Sequence, residues 1–205
     1  GEDFRVTAAA AEAAVEGDTI PVHYSLTNLT NTTLTDVYLY NLLVADPSTP
    51  SGYEEIAYFP TILGEAGQNV VTGTFDYTIV PNVGIRGGVL PLIARAVGDT
   101  APGAPVVSIG PPEVEIVSMV EVIKTCPEAV IAGESVFYTI TIINHSLSQT
   151  LDITTYEDEM LTDYSIPIND GSFSPWSGTP GLLGPGEVVS GSFTIPVLRD
   201  DAPNP

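Results

Sequence analysis

Positive charge is the scarcest commodity in this sequence: 5 Lys and Arg face 26 Asp and Glu over 205 residues, a formal net charge of −21. Binding a phosphate backbone needs clustered basic side chains, so nucleic acid and anionic lipid are excluded as partners, and the acidic exterior attracts cations instead. Cysteine occurs once, at Cys126, which rules out an internal disulfide framework and any site built from several thiolates. The two histidines, His23 and His145, stand 122 positions apart and support neither a zinc centre nor a Ser-His-Asp arrangement. No run approaches the roughly 18 to 20 consecutive apolar residues that span a bilayer. The first residues carry no basic and hydrophobic signal, so the chain reads as a mature or excised piece. Neither a nucleophile elbow nor a phosphate-cradling glycine loop is found, and a non-enzymatic protein is expected.

What is present is apolar content, 43% of residues, too much for a disordered acidic tail. The length suits one large or two ordinary domains, and an internal repeat favours two. GDTIPVHYSLTN, Gly17 to Asn28, recurs as GESVFYTITIIN, Gly133 to Asn144, 116 positions later. Ile20, Val22, Tyr24 and Leu26 alternate with polar residues, and Val136, Tyr138, Ile140 and Ile142 take the same places, the pattern of a half-buried strand. The register continues through Asp36/Asp152, Val37/Ile153 and Tyr40/Tyr156. After variable loops at 46–66 and 157–184, VVTGTFDYTIV from Val70 matches VVSGSFTIPVL from Val188 at a spacing of 118. The opening DFRVTAAAAEAAVEGD aligns with VEVIKTCPEAVIAGE and is read as a strand followed by a turn at Gly17. Two domains are expected, 1–110 and 111–205, divided in the Gly- and Pro-rich stretch before VEIVS. A connection so short and Pro-rich is stiff. The first copy continues into GVLPLIARAV from Gly88, whose counterpart falls one position past Pro205, so the second domain is expected to lack its last strand.

The segments IKTCPEAVIAGESVFYTITIIN and LGPGE, within Val120 to Val197, resemble the DUF11-type conserved repeat, and the first copy is a looser relative with PVHYSLTN and GEAGQN. The resemblance implies an all-β fold of two tandem Ig-like β-sandwich domains, in a non-enzymatic, extracellular, repeat-built protein. It also implies a final strand that the second copy does not include.

An open sandwich presents an apolar groove and a row of unpaired backbone groups, which invite another strand. Either the chain continues in a longer protein, or a neighbouring copy donates a strand and a head-to-tail homopolymer results. The natural donor is the N-terminal segment, with Phe4, Val6 and Ala8 entering alternate pockets, although its alignment suggests that it already serves the first domain. Sequons at Asn28, Asn31 and Asn144 are candidate glycan acceptors in a secreted context, or simply turn asparagines. Glu157, Asp158 and Asp163, with Asp170, Asp200, Asp201 and the carbonyl of Asn169 nearby, are candidate calcium ligands; the spacing is not an EF-hand, and a solvated acidic run is the plainer reading. Lys124, the sole lysine, is a candidate for an isopeptide bond to an Asn of the last strand. Cys126 reads as a buried small side chain, with intermolecular pairing the alternative under oxidising conditions. Tyr53, Tyr58, Phe59, Tyr164, Phe173 and Trp176 are read as loop aromatics that cover the domain ends or stack on sugars. The expected role is a structural subunit of a filament, sheath or surface layer, requiring no cofactor. The alternative is a stalk, adhesive or carbohydrate-binding module of a larger surface protein or secreted enzyme.

Overall fold

Residues that alternate apolar and polar in sequence bury every second side chain when extended, and both repeated stretches do so over ten residues. The computed structural model describes residues 4–49, 51–80, 92–96, 106–107, 111–131, 133–158, 165–168 and 171–196. These residues are all β, with no α-helix among them. They form two compact units, Gly1–Val117 and Ser118–Pro205.

Unit 1 contains β1 (Phe4–Ala9), β2 (Ala13–Ala14), β3 (Thr19–Asn28), β4 (Leu34–Ala45), β5 (Tyr53–Ile62), β6 (Val70–Thr78), β7 (Leu92–Ala96), β8 (Val106–Val107) and β9 (Glu115–Ile116). One sheet has the order β1-β3-β6 and another β5-β4-β7-β8, both antiparallel, while β2 and β9 form a short parallel pair. Val6, Tyr24 and Leu26 of the first sheet share a core with Leu34, Val37, Leu39 and Ile62 of the second. A second core cluster joins Ala14, Ile20, Val22, Tyr77 and Ile79 to Val114, the residue just before β9.

Unit 2 contains β10 (Val120–Thr125), β11 (Ser135–Asn144), β12 (Leu151–Asp152), β13 (Thr155–Glu157), β14 (Ser165–Pro167), β15 (Phe173–Ser174), β16 (Leu182–Leu183) and β17 (Val188–Pro196). Its main sheet has the order β10-β11-β17-β15, with two-stranded ribbons β12–β16 and β13–β14. The pairing of Val122 with Ile142 and of Ile140 with Gly191 repeats that of Val6 with Leu26 and of Tyr24 with Gly73, so β10-β11-β17 is β1-β3-β6 again. The core gathers Tyr138, Ile140, Ile142, Ile168, Phe173, Leu183 and Val189.

Three expectations are corrected. The division falls after Val117 rather than at 110, because β9 pairs with β2 and Val114 is fully buried in unit 1. The supposed variable loop 46–66 holds the ten-residue β5, disguised by register shifts against β4 and by Pro60, which cannot donate to a ladder. The region 157–184 likewise carries β14, β15 and β16, and Phe173 is core rather than loop cover.

Candidate strand-docking site

The sequon asparagines come first, because parity decides their role. Asn28 and Asn144 follow Leu26 and Ile142 by two residues and therefore face inward, and both are buried. Asn144 Nδ2 donates to the carbonyls of Gln149, Leu183 and Gly184 at 2.9, 2.9 and 3.0 Å, while Oδ1 accepts from Ser146 N–H. Asn28 Nδ2 donates to Thr32 and Ile62 carbonyls, and Oδ1 accepts from Thr30 N–H and Oγ1. A glycan bonds through that same nitrogen, so the expectation of acceptors at Asn28 and Asn144 is replaced by that of structural clamps, which tie the end of each repeated strand to the facing layer. Asn31 is exposed.

The proposed calcium cluster is not assembled among the described residues, where no group of three or more His, Cys, Asp or Glu gathers. Asp163 lies outside those residues, as do Tyr164, Asn169, Asp170, Asp200 and Asp201. Glu157 is exposed on β13. Asp158 is engaged elsewhere: its Oδ2 accepts from Lys124 Nζ at 2.6 Å and from the Tyr156 hydroxyl at 2.8 Å. The Lys124 ammonium also lies 4.5 Å from the centre of the Tyr138 ring, a cation–π contact. Lys124 is thus held by a carboxylate and a ring. Burial, then the Asp158 charge, pushes the Tyr138 phenol up to about 12. Among the described residues its buried hydroxyl has no acceptor at hydrogen-bonding geometry, so Asp158 acts on it chiefly as a nearby charge. Burial and then the bond to Asp158 raise Tyr156.

The expected strand donor is already committed. β1 pairs with β3 along its whole length, and Val6 is fully buried in unit 1, with Ala8 packed against the core. Donating it would strip unit 1 of a strand paired over its whole length. The side chain of Phe4 lies outside the described residues.

Unit 2 exposes apolar side chains at positions that are covered in unit 1. In unit 1, β4 is flanked by β5 and β7, and β7 and β8 approach β1. The β12–β16 and β13–β14 ribbons repeat the β4–β5 side of that arrangement, and no strand pairs the other side of β13 among the described residues. Equivalent residues accordingly differ in exposure: Val6 is 0% exposed and Val122 54%, Ala14 0% and Val130 46%, Val15 6% and Ile131 68%. Beside them a groove of about 250 Å³ is lined by Lys124, Cys126, Pro127, Val130, Val136, Tyr138 and Ile195. Cys126, read from sequence as buried, is exposed at this groove. Exposure differences between aligned positions are not visible in sequence, since the side chains themselves remain apolar in both copies.

No protein-family model and no curated protein matches this sequence. Among solved structures, red sea bream transglutaminase is similar at a TM-score of 0.41 and 12% identity, over 97% of this chain and 28% of that one. The chain thus spans little more than a quarter of that protein's length.

Proposed function

We propose that this chain is a non-enzymatic structural subunit of an extracellular or cell-surface assembly, a filament, sheath or surface layer, built of Ig-like sandwich units and joined head to tail by β-strand addition to unit 2. The resemblance to DUF11-type repeats points the same way. The observation that carries the reading is the contrast between Val6, sealed beneath its neighbours, and Val122, more than half exposed in an otherwise equivalent strand pair. Exposed aliphatic side chains beside an unpaired strand edge are costly in isolation and are relieved by an added strand. Sedimentation and electron microscopy of the purified chain over a range of concentrations test this. The expected result is concentration-dependent, end-to-end growth that Val122→Asp abolishes; a monomer at every concentration and salt overturns it.

A second reading, an adhesive or carbohydrate-binding module, is favoured by one observation in unit 1. Tyr38 and Tyr58 are directly opposed across β4 and β5 with ring centres 4.8 Å apart, and Tyr58 is 44% exposed. The Tyr58 hydroxyl donates to Asp36, a non-glycine residue at φ 50°. Aromatic faces beside a carboxylate suit a neutral sugar. Retention on an insoluble polysaccharide that is lost in Tyr58→Ala would support this reading, and absence of retention on any would remove it.

A further inference from the structure

Three tyrosines of unit 1 form a column of rings. Tyr38 alternates with the core residues Val37 and Leu39 and so faces away from them. Across the ladder it is directly opposed by Tyr58, and opposed residues on neighbouring strands hold their Cβ atoms about 4.5 to 5.5 Å apart. The two ring centres are 4.8 Å apart with 35° between their planes. Tyr40, two residues along β4, stacks on Tyr38 at 6.1 Å and 13°. Tyr40 is buried, Tyr38 half-buried and Tyr58 exposed, so the column opens to solvent at Tyr58. That end also carries a base. The ladder passes from the Thr35–Thr61 pair to the Val37–Phe59 pair, and between them Asp36 takes a left-handed backbone at φ 50°, which aspartate tolerates better than most residues. Asp36 Oδ1 accepts the Tyr58 hydroxyl at 2.5 Å, the length of a charge-assisted bond. That bond above all pushes the Tyr58 phenol up to about 12, so at neutral pH the proton rests on the phenol with its acceptor in place. The other tyrosine rings that meet a ring among the described residues meet phenylalanine: Tyr24 against Phe59 and Phe75, Tyr138 against Phe193, Tyr156 against Phe173 and Phe193.

From this geometry we infer that Tyr38 and Tyr58 are an oxidative cross-linking site: a peroxidase using hydrogen peroxide removes electrons at Tyr58, Asp36 takes the phenolic proton, and the two rings join as dityrosine, tying β5 to β4. The inference stands apart from both readings above. A phenol that loses an electron while keeping its proton becomes a very strongly acidic cation, so its oxidation is easy where the proton can leave at the same moment. Asp36 provides that exit at Tyr58. Tyr38 then refills Tyr58, its own proton leaving to water, and a second removal at Tyr58 leaves a phenoxyl radical on each ring. The radicals combine at carbons adjacent to the oxygens: one carbon–carbon bond forms, two ring C–H bonds break, and those hydrogens restore the two hydroxyls. In sum, two electrons and two protons leave the pair and reduce one hydrogen peroxide to two waters. The ring centres of a carbon–carbon coupled biaryl lie only slightly closer than those of Tyr38 and Tyr58, and its planes are also twisted, so coupling asks for little movement. The bond has a use in this fold. β5 ends the sheet order β5-β4-β7-β8, and a strand paired on one side opens more readily than one paired on both. With a single cysteine, the chain has no internal disulfide to hold it.

The test uses the full chain at high dilution, with the exposed Cys126 alkylated beforehand so that the thiol does not consume oxidant. A haem peroxidase and limiting hydrogen peroxide are added, and dityrosine fluorescence is followed in time. Cleavage after acidic residues then releases fragments 37–46 and 56–65, which are expected to remain joined, at a mass two hydrogens below their sum. Fragmentation of the joined species is expected to place the bond on Tyr38 rather than Tyr40. Tyr38→Phe and Tyr58→Phe are each expected to abolish it. Asp36→Asn keeps a residue type that tolerates the same backbone but removes the base, and coupling is expected to slow by on the order of a hundredfold, the low end of what a positioned proton acceptor contributes. Circular dichroism confirms that each variant is folded. Oxidation that yields no joined fragment, or dityrosine only between separate chains, overturns the inference. Coupling of Asp36→Asn at the rate of the unaltered chain overturns the part assigned to the carboxylate.

Discussion

At the scale of single residues, the two buried asparagines carry the most consequence per atom. Asn144→Ala removes three donated hydrogen bonds and leaves the carbonyls of Gln149, Leu183 and Gly184 without that partner. Orphaned buried acceptors are costly, and a loss of about 3 kcal/mol is expected in urea unfolding of unit 2, with Asn28→Ala costing somewhat less in unit 1. The clamp was legible in principle, because period-two parity places Asn28 with Leu26 and Asn144 with Ile142 on the inward face. The sequon pattern obscured it, since a tripeptide motif says nothing about which way a side chain points. The tyrosines set a second residue-scale expectation. Tyr138 and Tyr156 are held above their ordinary value by burial first and by Asp158 next, so the folded state keeps its phenolic protons to higher pH than the unfolded chain. The stability they contribute is complete below about pH 10 and is lost as pH rises from there toward 12. Urea midpoints followed from pH 9 to 12, together with phenolate absorbance, would show a fall over that interval; an unchanged midpoint contradicts it.

At the scale of elements, the repeated glycine of β6 and β17 makes room within its own sheet for a neighbouring ring or strand. A Cβ on Gly191 would sit 2.8 Å from the Ser172 carbonyl oxygen and 2.9 Å from the Phe193 ring, and one on Gly73 would collide with the Tyr24 hydroxyl. Gly191→Ala is expected to destabilise unit 2 by about 1 to 3 kcal/mol, because the nearest obstacle is backbone rather than a movable side-chain tip. Thermal unfolding of the variant checks this. The glycine, the strands around it and their register follow from alternation and from the two repeat spacings. The parallel β2–β9 pair does not: two residues offer no periodicity, and the prolines and glycines before it read as a linker although Val114 is core. β5 escaped for the opposite reason, having length without a clean alternation, because its bulged pairing with β4 breaks parity. For the candidate site, the apolar residues of the groove were legible as residues, but whether anything covers them is a property of packing.

At the scale of the whole molecule, each unit owns a separate core, so each has its own cooperative transition to lose. Ile140→Ala, at a fully buried position of unit 2, is expected to lower the transition of that unit by about 2 to 5 kcal/mol and leave the Val22-containing unit unchanged. Calorimetry of the full chain distinguishes this from a single shared transition, which would move as one. The net charge of −21 opposes contact between copies, and screening relieves it over a Debye length of about 8 Å at physiological ionic strength. Assembly is therefore expected to strengthen as monovalent salt rises, a trend opposite to that of a protein held together by surface ion pairs.

The asparagine clamps also impose an order in time. An enzyme that reads Asn-X-Ser/Thr acts on extended, accessible chain, and while this chain is still unfolded Asn28, Asn31 and Asn144 present equivalent tripeptides to it. Sugar added at Asn31 leaves folding untouched, whereas sugar added at either of the others occupies the nitrogen that must later reach the facing layer. In any compartment with such an enzyme, these two strands have to close before it arrives. Molecules that lose the race would carry one sugar too many to fold, and native molecules would carry sugar at Asn31 alone or not at all.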